Sequence, residues 1–266
     1  MHHEHGYDFL ALTDHRKYNL KNYTDLPITI VPGMEMDRGI EGPGCVHCFH
    51  TVCLGPLEGN GYTQDQVLEG GHVRDQFEYQ AVLDDIHAHG TLTVYCHPEW
   101  SGTPAQEFMR MKGNFAMEIW NSGCAIENHQ DMNAAYWDEL LYEGQHIWGV
   151  AADDGHAMDQ HCRGWVRVKA ENNVPAILRA LENGDFYAST GPEIYDFYVE
   201  DGTAHIACSP VRSVEFISWR MPSVVVDGED MTRASGRLRK GVGCYVRASV
   251  IDREGHRAWT NPIFLQ

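Results

Sequence analysis

The chain has 266 residues, with 38 Asp and Glu against 20 Lys and Arg, 16 His and 8 Cys, for a formal net charge of −18. That length is enough for a substantial core in one large domain, or in a large domain with a small companion. The excess of negative charge argues against nucleic acid or an anionic membrane surface as the main partner.

No apolar run approaches the roughly 20 residues that span a bilayer, and the opening MHHEHGYDFL lacks the basic and hydrophobic regions of a secretory signal. The expectation is a cytoplasmic protein whose scattered cysteines stay reduced.

In chain order, DFLALT (8–13) reads as a short apolar strand that runs into Asp14-His15, and LPITIVP (26–32) reads as a second that reaches Glu35. CFHTVCL (48–54) reads as a third and carries His50. DQFEYQAVLDDIHAHG (75–90) has amphipathic helical spacing and a glycine stop, and TLTVYC (91–96) follows it as a strand that ends at His97-Pro98. TPAQEFMRMKG (103–113) is the next expected helix, and FAMEIW (115–120) the next strand, ending at Asn121. DMNAAYWDELLYEG (131–144) then reads as a helix, and HIWGVAA (146–152) as a strand ending at Asp153, Asp154 and His156. NVPAILRALENGDFYAST (173–190) closes this series as helix, glycine and strand.

Continuous apolar strands alternating with helices predict a parallel α/β sheet or barrel over residues 1–193. From residue 194 to 266, alternating strands joined by DG, GED and REG turns predict a small antiparallel β domain.

In α/β folds the carboxyl ends of the strands build the site. Polar, metal-capable residues stand at nearly every one of those ends here. Asp154 and His156 lie two apart on extended backbone and so leave it on the same side, as two ligands of one ion would. Imidazole and carboxylate without obligatory thiolate suit Zn²⁺, Mn²⁺ or Fe²⁺, and Glu35 is placed to bridge two ions. A multinuclear hydrolytic site follows. A rival zinc site in GCVHCFHTVC (Cys45, Cys48) lacks a second Cys or His pair elsewhere in the chain. His87 and His89, near a helix C-terminus, need no catalytic role. Arg163 is a candidate for an anionic substrate group, with a surface ion pair as the alternative.

The order GYDFLALTDH, VPGMEMD, FHTVCLG, YCHPEW, MEIWN and VAADDGH resembles the PHP (polymerase and histidinol phosphatase) superfamily of metal-dependent phosphoesterases. The closing GDFYASTGPEIYDFYVEDG and EGHRAWTNPIFL look like its carbaryl-hydrolase-like branch. The resemblance implies a TIM-like, distorted (β/α)7 barrel followed by a β appendage, with two to three divalent ions (Zn, Mn or Fe). Carried over by position, His15 and His156 hold one ion, Glu35, His50 and His97 a second, and Asp154 with Glu35 a third. Glu35, Asp154 and Asn121 would be the catalytic residues. The resemblance places the family's N-terminal H-x-H pair on a first strand and helix that are expected to be missing here, since His3-Glu4-His5 imitates the motif only in letters. A barrel without its first strand exposes a sheet edge, which leaves a homo-oligomer open.

The expected function is hydrolysis of a small-molecule phosphoester by hydroxide generated at the metals. Carboxylic or carbamic ester hydrolysis on the same site is one alternative, and a non-catalytic, metal-retaining binding protein is the other.

Overall fold

The computed structural model describes residues 1–21, 23, 25–41, 47–55, 61–131, 133–219, 221–239 and 243–265. Cys45 of the rival zinc motif lies outside them. The chain forms two compact units interleaved in sequence: Met1–Glu118 with Val168–Asp185, and Ile119–Arg167 with Phe186–Gln266.

In the first unit, strands β1 (Phe9–Ala11) and β2 (Thr29–Val31) pair in parallel. Pro32 has no N–H to give to a ladder, so β2 stops there. The backbone becomes extended again as β3 (Gly33–Ile40), and β4 (Cys48–Leu54) returns antiparallel to it. β5 (His72–Val73) lies parallel on the other edge of β3. Helix α1 (Gln76–Ala88) begins at Asp75, whose carboxylate accepts from the N–H groups of Phe77 and Glu78. Its residues Tyr79, Leu83 and Ile86 recur at helical spacing and are all buried. β6 (Leu92–Tyr95) pairs antiparallel with β4 and, across the short helix α2 (Ala105–Phe108), parallel with β7 (Asn114–Asn121).

Side chains alternate across β3. Met34 and Met36 are fully buried in the core, where the Tyr79 hydroxyl donates to the Met36 carbonyl at 3.2 Å and lies 2.9 Å from the Thr51 hydroxyl. Glu35 and Asp37 therefore stand together on the opposite face.

The second unit begins with the end of β7 and contains α3 (Ser122–Asn128), α4 (Asn133–Tyr142), β8 (Trp148–Ala152) and β9 (Trp165–Val168). The chain gives α5 (Val174–Asn183) to the first unit and then returns. It continues as β10 (Phe186–Ser189), β11 (Ile194–Glu200), β12 (Thr203–Ser218), β13 (Met221–Arg237), β14 (Tyr245–Ile251), β15 (Arg257–Thr260) and β16 (Ile263–Phe264). The sheet runs β11-β12-β14-β15-β10, with β13 on β12 and β16 on β14, all antiparallel. Ile206, Val214, Phe216, Val246, Ala248 and Val250 fill its core.

This corrects the expected distorted (β/α)7, TIM-like barrel. Among the described residues the protein is mostly β, 42% strand against 21% helix, and β3, β4 and β6 are joined by antiparallel ladders where a barrel would need parallel ones. The physical cause is β3. Its charged GMEMDRGI does not read as a strand, yet it lies beside β4 and reverses the direction expected of that neighbour. Among the described residues, no helix is long and apolar enough to cross a membrane. The described cysteines are free thiols.

Gly113 offers a test of the α1–β7 packing. Its φ is +92°, and a Cβ there would meet the His87 ring at 2.3 Å, while that ring is held by Thr93 at 2.8 Å. Gly113→Ala is expected to lower stability by about 1–3 kcal/mol in urea titration. His87→Ala in the same chain should recover the part due to the clash and leave the part due to the backbone.

Candidate metal centre

The first unit brings His15, Glu35, His50 and His97 together. A short parallel bridge pairs His15 with Glu35, with the Arg16 N–H donating to the Glu35 carbonyl at 2.6 Å. His50 comes from β4, where it faces Asp37 across the ladder and Glu35 diagonally. His97 follows β6 with a left-handed backbone, φ +25°. Its N–H donates to Glu118 at 3.1 Å and its Nδ1 lies 3.1 Å from the Ser101 hydroxyl.

Three imidazoles converge on one buried carboxylate. His50 Nδ1 is 2.8 Å and His97 Nε2 is 3.5 Å from Glu35 Oε1, and His15 Nδ1 is 3.9 Å from Glu35 Oε2. Glu35 is 5% exposed and His97 2%. The Trp100 ring packs against His50 and His97 at 5.6 and 5.1 Å between centroids, which walls that side with an apolar surface.

Electrostatics follow from this geometry. Burial pushes the Glu35 carboxyl up, but hydrogen bonds from His50 and His97 outweigh it and hold the group well below the usual carboxylate range. Burial acts on His50 in the opposite sense, and its contacts with Cys48 and Glu35 carry it to about 10. His97 is also raised, burial being overcome by Glu35 and Glu118.

The donor set fits a divalent metal. Ligand atoms of His15, Glu35 and His50 lie within 4.8 Å of one another, close to the span of two bonds of about 2.1 Å. Their hardness suits Zn²⁺, Mn²⁺ or Fe²⁺.

For the metal-free protein the raised His50 value makes stability pH-dependent. Its contribution is fully present below the ordinary value of 6.5 and is lost as pH rises from there through about 10. Thermal unfolding with chelator should show wild type losing its advantage over His50→Gln across that window. An advantage that grows toward alkaline pH would refute the pairing.

The remaining expected residues lie in the second unit. Asn121 donates from Nδ2 to Asp154 Oδ2 at 3.1 Å, while its Oδ1 accepts the Cys124 N–H and caps α3. Asp154 has φ +46°, and His156 Nδ1 lies 3.0 Å from its carbonyl and 3.8 Å from its carboxylate. Asp153 organises the following loop by accepting from the N–H groups of Cys162, Arg163 and Gly164. Arg163 is exposed and donates to the Asp159 carbonyl. His3 and His5 are exposed on a single 3-10 turn.

Sequence reasoning missed Asp37, Arg16, Ser101, Glu118 and Trp100. Asp37 was accessible to it, because two residues beyond Glu35 on one strand means the same face. Glu118 is brought in by tertiary packing, whereas Arg16, Trp100 and Ser101 are close chain neighbours of His15 and His97. No protein-family model matches the chain, and no curated protein matches it.

Proposed function

We propose that the chain is a metal-dependent hydrolase of small-molecule phosphoesters, working from the Glu35 centre. The observation that carries this reading is a single buried carboxylate faced by three imidazoles. The His50 and His97 contacts stabilise the buried charge, and the convergence of a third imidazole on the same carboxylate supports reading the arrangement as a ligand set. His15, Glu35 and His50 would hold the ion, with His97 beside them, fixed by Ser101 and Glu118. A divalent ion there supplies acidified water and polarisation of an ester oxygen. Trp100 keeps bulk water from one side. The resemblance of the motif order to that of the PHP phosphoesterases is the ground for the phosphoester class, and a cytoplasmic location belongs to the same proposal.

The test is metal content by mass spectrometry on protein purified without chelator, followed by assays on p-nitrophenyl phosphate and p-nitrophenyl acetate. Phosphate release that is lost in chelator and restored by zinc or manganese is expected. Turnover of the acetate alone would replace the substrate class. A chain that takes up no divalent ion would overturn the proposal.

A further inference from the structure

Asp37 stands 18% exposed beside the cluster, and its two carboxylate oxygens have different partners. Oδ1 is 3.0 Å from His15 Nδ1. Oδ2 receives the Arg16 guanidinium. The partners are consecutive residues, and the backbone around them is pinned: the Arg16 N–H donates to the Glu35 carbonyl, and the Arg16 carbonyl accepts the Leu68 N–H at 2.8 Å. Arg16 itself is left-handed at φ +56°, an uncommon conformation for a residue with a side chain. It sends two adjacent side chains back over β3 onto one carboxylate. Gly70 leaves room for this, since a Cβ there would lie 3.2 Å from Arg16 Nε.

A histidine that donates Nδ1–H to a carboxylate keeps the lone pair on Nε2, so the hydrogen bond decides which nitrogen is the donor. We propose that Asp37 is a positioning residue of the metal centre: by taking the Nδ1–H of His15 at 3.0 Å, closer than the 3.9 Å to Glu35, it fixes the tautomer so that Nε2 carries the lone pair for the ion, while Arg16 holds Asp37 in place. This rests on the reading of the cluster as a metal site. Asp37 is not itself a donor to the ion in this account, because both of its oxygens are committed to protein groups. Arg16 offsets its charge, so the carboxylate adds orientation without adding a net negative charge to the centre.

The experiment uses the full chain and its Asp37→Leu and Asp37→Asn variants, with folding checked by circular dichroism. The His15 tautomer is read in the metal-free protein by two-bond ¹H–¹⁵N NMR where the ring is neutral, and zinc affinity is read by competition with a chromogenic chelator. Wild type is expected in the Nδ1–H form. Asp37→Leu should lose that preference and bind zinc about 10- to 100-fold more weakly. Asp37→Asn, whose amide oxygen still accepts from Nδ1–H, should keep the tautomer and recover most of the affinity. An unchanged tautomer in Asp37→Leu overturns the inference even if zinc affinity falls, since that pattern makes Asp37 a direct ligand. Zinc affinity unchanged in Asp37→Leu also overturns it. Wild type that binds no zinc overturns the metal reading itself, a different result from either.

Discussion

Glu35→Gln is expected to weaken zinc binding by about 100-fold or more, above the 10- to 100-fold typical of residues that only support a ligand, and to abolish phosphoester turnover. The substitution keeps the size and one acceptor oxygen, so the first unit should still fold. What it removes is the charge that three imidazoles face and that draws a cation into a buried site. His50 should fall back toward its ordinary titration range in the same variant, because Glu35 is among the groups that raise it. Isothermal titration with zinc and NMR titration of His50 check the two effects separately. Zinc affinity within about threefold of wild type, in a variant whose His50 has shifted, would remove Glu35 from the ligand set and with it the proposed function.

Arg247→Ala should produce the largest loss of stability in the second unit, about 3–5 kcal/mol, because it strands a buried carboxylate. Asp138 on α4 and Arg247 on β14 are 4% and 2% exposed and form a bidentate pair at 2.8 and 2.6 Å, to which the Tyr245 hydroxyl also donates at 2.8 Å. The guanidinium lies 4.9 Å from the centre of the Trp137 ring, itself fully buried. Replacing both partners with Asp138→Leu and Arg247→Met should recover much of the loss, since a buried pair exchanged for apolar groups of similar volume is often neutral or stabilising. Chemical denaturation of the two single variants and the double variant gives the coupling directly. A single-variant loss below about 1 kcal/mol would show that water reaches the pair.

Much of the local structure was legible from residue pattern. CFHTVCL gives a strand at Cys48–Leu54 as read, and α1 lies within the expected 75–90 because Asp75 and the period of Tyr79, Leu83 and Ile86 announce it. The region expected as a helix at 103–113 is helical only at Ala105–Phe108. Met111 is buried past its end without helical backbone, so an apolar period was mistaken for a longer helix.

Strand direction was the part that did not show. A run of apolar residues says that a strand is covered, and it says nothing about which way the neighbour runs. In the sequence LPITIVP reads as one strand that reaches Glu35, whereas Pro32 separates two strands and Glu35 lies inside β3. That His15, Glu35, His50 and His97 lie together follows from their places beside apolar runs, which the sequence shows, since polar side chains brought to a buried face need one another as partners. Asp37 and Arg16 look like ordinary surface charges in the sequence, and only the ladder and the left-handed turn at Arg16 give them a place.

The interleaving of the two units has a consequence for how the chain is made. Every donor of the Glu35 centre is synthesised long before α5, which packs on β2, and before Asn172, just ahead of that helix, which donates to the Asp8 carbonyl. At ~5–20 residues per second the wait lasts several seconds. During it, the nascent first unit keeps β2 without the helix that later covers it.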